Sequence, residues 1–239
     1  MCSNGFFADP ILVLGNEEQK KRWLTPLTGP APVMTALATT EPSSGSDAAS
    51  IVTTATRVDG GYRISGQKAW ISNAGAAQFY VVFAKTDTTR RSSGISAFLI
   101  DKDTEGLSFG APMKKMGQRA IVCREIFLDG VLVPEEDRLG DEGQGFYGLM
   151  GTFDISRVVL GAAAVGAARA AYEYALDYAK TRQQFGVPII EHQAVAFRLA
   201  EMATRIEAAR LLVLHAARVI DSGAPARGVA AMAKLTASE

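Results

Sequence analysis

Between residues 33 and 134 the apolar positions come in short runs rich in Val, Ile, Phe, Tyr and Thr, closed off by Gly, Asp and Ser. That pattern predicts strands near 33–38, 50–58, 61–65, 78–86, 94–101, 107–110 and 121–133. Asp59-Gly60-Gly61 between two such runs reads as a hairpin turn. Phe79 to Ala84 is apolar on both faces, which predicts a central strand. No stretch of about 10–15 residues with helical period separates these runs, so an antiparallel barrel or sandwich is expected rather than βαβ units.

The flanks carry a helical period. Asn16-Glu17-Glu18-Gln19-Lys20-Lys21-Arg22-Trp23-Leu24 opens with a capping residue and acidic first-turn residues and ends basic. Ile11 to Leu14, Trp23 and Leu27 are its apolar contacts, too few for one short helix to bury alone. Gly29-Pro30-Ala31-Pro32 then breaks the chain. A polar connector follows Pro134, and from about residue 144 Ile155, Val158, Ala162, Val165, Tyr172, Leu176 and Ala179 fall on one helical stripe. Gly161, Ala162, Ala163, Ala164 and Gly166 make this helix thin enough for a close neighbour. Phe185-Gly186-Val187-Pro188 is expected to end it. Val195, Leu199, Met202, Ile206, Ala209, Val213, Ala216 and Ile220 then form a bundle seam, with Glu201 and Arg205 one turn apart on the wet side. Gly223-Ala224-Pro225 stops that helix and a third starts near Ala226. The fold expected is an α+β multidomain chain. Residues 1–30 read as the remnant of an N-terminal helical domain, 31–140 as a middle β domain and 141–239 as an incomplete C-terminal helical bundle, with both ends cut rather than capped.

Composition narrows the function. Apolar residues make up 48% of the 239, enough for a sizeable core. Lys plus Arg equals Asp plus Glu at 25 each, so neither nucleic acid nor an anionic membrane is an expected partner. The longest strongly apolar run, Val158 to Ala168, is far short of the ~20 residues of a membrane span. No charged-then-apolar leader opens the sequence. Cys2 and Cys123 form no framework and read as reduced thiols in a cytoplasmic setting. Zinc-type Cys/His clusters and a P-loop are absent from the sequence. His215 sits in a regular helix and reads as a packed or surface residue, and His192-Gln193 follows a helix break.

The stretch with most potential for chemistry is Thr39-Thr40-Glu41-Pro42-Ser43-Ser44-Gly45-Ser46-Asp47, a loop at a strand end. Pro42 pushes Glu41 toward an extended shape, Gly45 permits close approach of backbone to a ligand, and the serines supply hydroxyls. Such a loop can offer N–H groups to a phosphate or a ring carbonyl, although the same residues also make plain surface turns. Trp70 beside Ser72 and Asn73 is either core or an aromatic face with hydrogen bonds for a flat ring. Arg182 serves either the helix dipole or a phosphate, and Asp154 with Arg157 reads as a local ion pair at a helix start.

Taken in order, these segments resemble the acyl-CoA dehydrogenase family along nearly the whole chain. The resemblance rests on Thr40-Glu41-Pro42 with Gly45-Ser46-Asp47, Gly66-Gln67-Lys68-Ala69-Trp70-Ile71-Ser72-Asn73, Lys115-Met116-Gly117-Gln118-Arg119 and Val133-Pro134. It continues through Gly143-Gln144-Gly145-Phe146, Arg182 with Phe185-Gly186, Glu191-His192-Gln193, Leu199-Ala200-Glu201-Met202 and Ala233-Lys234. Phe153-Asp154 followed by Arg157 is most similar to the straight-chain, medium- and short-chain members. The resemblance implies FAD as cofactor and oxidation of the Cα–Cβ bond of an acyl-CoA to a trans-2-enoyl-CoA, as in fatty-acid β-oxidation. It also implies a homotetramer that passes electrons to an electron-transferring flavoprotein, in the cytoplasm or, in a eukaryote, the mitochondrial matrix. Leu37, Thr39, Thr40, Gly45, Ser46, Trp70, Ile71 and Ser72 match segments that hold the flavin ring and ribityl chain. Arg182 and Gln193 match positions that reach the FAD of a neighbouring subunit, and Ser46, Phe153, Asp154 and Arg157 match the acyl-CoA path. Two departures stand out. Ser43-Ser44 replaces a Gly-Ala common before Gly45, which is expected to stiffen the loop. The family's Glu-Gly-Thr motif, which carries the base, is absent, and the alternative base position is Ser156, so no catalytic residue is assigned. An acyl-CoA oxidase-like flavoprotein and a non-catalytic flavin- or acyl-CoA-binding subunit are the alternative functions.

Overall fold

The structure is a computed structural model that describes residues 4–239. The chain divides into two compact units, one up to Thr152 and the other Phe153–Glu239.

In the first unit α1 (Asn4–Leu14) and α2 (Glu17–Thr28) precede the sheet. Asn16 caps α2 as its side chain predicts: the Gln19 amide N–H donates to Asn16 Oδ1 at 2.8 Å, and the Asn16 N–H donates to Gln19 Oε1 at 3.0 Å. The helix runs on to Thr28 through Pro26 and its last turn holds no basic residue, unlike the sequence expectation. Trp23 explains the extra length. It is buried with its ring 5.0 Å from that of Phe79, and this packing outweighs the weak dipole preference.

Eight strands follow: β1 (Thr35–Ala38), β2 (Thr54–Val58), β3 (Gly61–Ser72), β4 (Phe79–Lys85), β5 (Ile95–Asp101), β6 (Leu107–Phe109), β7 (Cys123–Pro134) and β8 (Arg138–Leu139). Their order is β6-β7-β3-β2-β4-β5-β8, with β1 also beside β4. The path is open, so the sheet does not close into a barrel. It is also not wholly antiparallel. β1 runs parallel to β4 from Thr35↔Phe79 to Ala38↔Val82, and β2 meets β4 in parallel at Thr54↔Lys85. Absence of intervening helices suggested antiparallel pairing alone. The crossover is made instead by the β2–β3 hairpin, closed at Val58↔Gly61. β4 is central as its two-sided apolar pattern predicts, with Phe79 to Ala84 all buried. Tyr62, Ile64, Tyr80, Val82, Phe98, Ile126 and Val131 form the core around it.

β3 extends well past the predicted end at residue 65, and two register shifts let it do so. At Gly66, whose φ is +155°, an added Cβ would lie 2.5 Å from Thr53 Oγ1, so close passage of the segment before β2 requires glycine there. That segment, read as strand from residue 50, is a 3₁₀ turn (Ala48–Ser50) followed by coil up to Thr54.

The second unit contains most of α3 (Gly145–Thr181), with α4 (Gln193–Asp221) and α5 (Arg227–Ser238). Val158, Val165, Ala209, Val213, Ala216, Ala230 and Ala233 make its core. The thin face of α3 is used at Gly161, where an added Cβ would lie 3.1 Å from Val213 Cγ2 and 3.4 Å from the Ala233 carbonyl. Ala162, assigned to the buried stripe by sequence, is exposed. α3 is long and apolar enough by length and composition to cross a membrane, yet Val158 and Val165 are buried within this bundle. The helix ends at Thr181. Residues 185–188, expected to terminate it, belong to a hairpin of β9 (Gln183–Gln184) and β10 (Val187–Pro188) turned by Phe185 and Gly186 at φ +55° and +81°. Glu201 sits 4.0 Å from Arg198, and no ion pair joins it to Arg205.

Among the described residues, one ion pair of the first unit has both side chains almost fully buried. Lys68 Nζ is 2.7 Å from Glu41 Oε1, with side-chain exposures of 0% and 1%. Burial pushes the Glu41 carboxyl up, but the Lys68 ammonium and hydrogen bonds from Lys68, Thr53 and Val52 outweigh it and hold the group below its ordinary value. A carboxyl held low in the fold adds stability above its unfolded value near 4.5, and that stability disappears as pH falls through the folded value. Glu41→Gln is therefore expected to cost about 3 kcal/mol at neutral pH, since it leaves a buried ammonium without its counter-charge. The difference between wild type and variant, measured by denaturant melts from pH 7 to 3, should close below pH 4.5; a constant difference would contradict a charged pair.

Candidate flavin- and thioester-binding sites

β1 and the outer half of β3 are laced together end to end. The Asn73 side-chain amide donates to the Thr35 carbonyl at 3.0 Å, the Ala69 N–H donates to the Thr40 carbonyl at 2.8 Å, and Lys68 Nζ donates to the Thr39 carbonyl at 3.2 Å. Leu37, Thr39 and Thr40 are thus held alongside Trp70, Ile71 and Ser72. Glu41 completes the frame, because its carboxylate accepts the N–H groups of Val52 at 2.6 Å and Thr53 at 3.0 Å. The buried pair therefore ties three segments: the loop after β1, the coil before β2, and β3.

The same place carries backbone strain. Lys68 pairs with Ile126 and Ile71 with Arg124, so Ala69 and Trp70 together oppose one residue, Glu125. Trp70 takes φ +61° and Asn73 φ +65°. A left-handed bulky residue costs about 1–3 kcal/mol and persists where surrounding bonds over-determine it. Here it turns the Trp70 indole outward, 64% exposed, while its neighbour Ile71 is buried. Ile71 can therefore face a ligand only through its backbone. Thr39 Oγ1 is buried and has no hydrogen-bond partner among the described residues, so a group from outside the chain can complete it.

The loop beyond is tied to itself. Glu41 and Ser44 exchange backbone bonds of 2.8 and 3.1 Å, and Ser44 Oγ donates to the Asp47 carbonyl at 2.5 Å. Asp47 is held in turn by Arg91 at 2.7 Å. Ser44 thus bonds within the loop through both its backbone and its hydroxyl. Gly45 and Ser46 remain exposed, and no protein atom lies within 4 Å of where a Gly45 Cβ would stand.

Lys68 lies within the Gly66 to Asn73 stretch and is the cation of the buried pair. Tyr62 and Ile64 point inward, and the same alternation carried to residue 68 places Lys68 inward too. Burial pushes its ammonium down to about 8 against the opposing pull of Glu41.

In the second unit Asp154 and Arg157 pair at 2.6 Å one turn apart on α3, well inside the helix rather than at its start. Asp154 is mostly buried, and its other oxygen lies 3.8 Å from Arg227 Nε on α5. Phe153 is half-buried, and the Ser156 hydroxyl donates to the Phe153 carbonyl at 3.1 Å. Arg182 and Gln193 are exposed and flank the β9–β10 hairpin, which is tied to the Arg182 carbonyl by the Ile189 N–H at 2.8 Å. At its tip Phe185 is 94% exposed with its ring 5.8 Å from that of His192. Among the described residues no cluster of His, Cys, Asp and Glu could hold a metal ion.

Comparison with known proteins gives the same answer from two directions. Residues 36–131 match the family model for the acyl-CoA dehydrogenase middle domain, and residues 143–239 match that for the acyl-CoA dehydrogenase C-terminal domain. An acyl-CoA dehydrogenase of Bacillus subtilis is 45% identical over 97% of this chain and 61% of its own length. The caffeyl-CoA reductase-Etf complex subunit CarC of Acetobacterium woodii is 41% identical over 99% of this chain and 62% of its own. A solved structure of PigA with FAD and proline superposes with a TM-score of 0.93 at 34% identity, covering 99% of this chain and 62% of that one. The chain thus spans about six-tenths of the length of the relatives it matches. It belongs to the acyl-CoA dehydrogenase family.

Proposed function

We propose that this chain is part of an FAD-dependent enzyme that oxidises acyl-CoA thioesters to trans-2-enoyl-CoA and passes the electrons to an electron-transferring flavoprotein. The observation that carries the reading is the frame described above, in which a buried hydroxyl without a partner stands beside a strained, outward-turned tryptophan. A flat polar ring fits both: the indole face can cover it, and Thr39, Ser72 and the free loop amides can meet its heteroatoms. When bound, the flavin supplies the electron sink for the hydride leaving Cβ. The protein's part is to hold that ring against the thioester and keep water out. A named relative from an Etf complex and a FAD-bound structural neighbour support the electron partner and the cofactor. Homotetramer assembly, with Arg182 and Gln193 of one subunit reaching the FAD of the next, fits their exposure beside the hairpin.

Two groups that could remove the α proton are already occupied. Glu41 is bonded to Lys68, Val52 and Thr53. Ser156 is a buried hydroxyl bonded to its own helix. No residue of this chain is therefore assigned as the base.

Anaerobic absorbance of the purified chain with FAD, before and after straight-chain acyl-CoAs, tests the activity. Bleaching of the flavin band would show that the chain carries a base other than Glu41 and Ser156, and bound flavin that stays oxidised would favour a fragment or a binding subunit. The cofactor site has its own test in Thr39→Val. Since the hydroxyl has no partner among the described residues, the flavin-free variant should melt at or slightly above the wild-type temperature. Its FAD affinity should fall about fivefold, the worth of one neutral hydrogen bond near 1 kcal/mol. Unchanged affinity would remove Thr39 from the site.

A further inference from the structure

Arg227 is not among the residues that the family likeness selects, yet the fold brings it to Asp154. Asp154 Oδ1 receives Arg157 at 2.6 Å, and Oδ2 lies 3.8 Å from Arg227 Nε. The exposures grade outward, from 19% for the Asp154 side chain to 34% for Arg157 and 75% for Arg227. Two guanidiniums around one carboxylate leave a net charge of +1. The contact to Arg227 is too long and too exposed to add much stability, so fold stability does not account for it. Its two terminal nitrogens have no acceptor among the described residues, and a guanidinium edge with free donors suits a phosphate.

The geometry points to Arg227 as a specificity-determining residue that binds a phosphate of the CoA moiety, held in place by Asp154 while Arg157 anchors that carboxylate on α3. This rests on the reading that residues 153–157 lie on the acyl-CoA path. Arg227 then sets preference for the CoA ester over a thioester that carries none of its phosphates. A thioester on pantetheine has no such phosphate and gains nothing from Arg227.

The test compares equilibrium binding of a CoA ester and of the matching pantetheine ester to the FAD-loaded chain, for wild type, Arg227→Gln and Arg227→Lys. The Gln variant should bind the CoA ester about tenfold or more weakly, the worth of one hydrogen bond to a charged group, while the pantetheine ester is unaffected. The Lys variant should recover part of the loss, and all three should melt alike. Equal weakening toward both esters would show a merely structural role and overturn the inference. So would unchanged CoA-ester binding in the Gln variant. If wild type binds neither ester, the reading of 153–157 fails, and the inference with it.

Discussion

The first unit depends on one buried ion pair. Glu41 and Lys68 are both almost fully removed from water, which costs each several kcal/mol before any attraction is counted. An apolar pair of similar volume would stabilise the fold as well. What an apolar pair would not do is accept two backbone N–H groups and donate to a carbonyl at the same time. The pair is better understood as a positioning device, holding irregular backbone where regular sheet bonds are not available. Its bonds over-determine the bulge at Ala69-Trp70, and this is how a tryptophan is kept at positive φ facing solvent. Strain and stabilisation therefore share one location, the pattern expected of a preorganised binding surface.

The second unit works by different physics. Its core is built mostly from Ala and Val, with Gly161 of α3 set close against Val213 and the Ala233 carbonyl. Its charged trio joins Asp154 and Arg157 of α3 to Arg227 at the start of α5, and an exposed hairpin lies between α3 and α4.

Much of this was legible in the chain. The two-sided apolar run of β4, the capping box at Asn16 and the seam of α4 follow directly from residue periodicity. The parallel pairings were hidden because a hairpin performs a crossover that a helix usually makes. β3 runs past the expected end at residue 65, because the alternation continues to Lys68 and the Ala69-Trp70 bulge bends the strand without ending it. In the candidate site, family likeness points to Trp70, Thr39 and Ser72, while the meaning of Glu41 needs its partner, 27 residues away. Arg227 was invisible for a similar reason. It lies on a different helix from Asp154, and no local spacing links the two.

The claim that a side-chain carboxylate, rather than a strand, holds the coil before β2 can be tested on the unaltered protein. Hydrogen exchange at the Val52 and Thr53 amides is the most direct measurement. Both lie outside regular strands, yet each donates to Glu41. The account predicts protection comparable to the amides of β4, far above that of the exposed Ser46 amide. Exchange of Val52 and Thr53 as fast as Ser46 would contradict it, because the loop would then be anchored by something other than the buried pair.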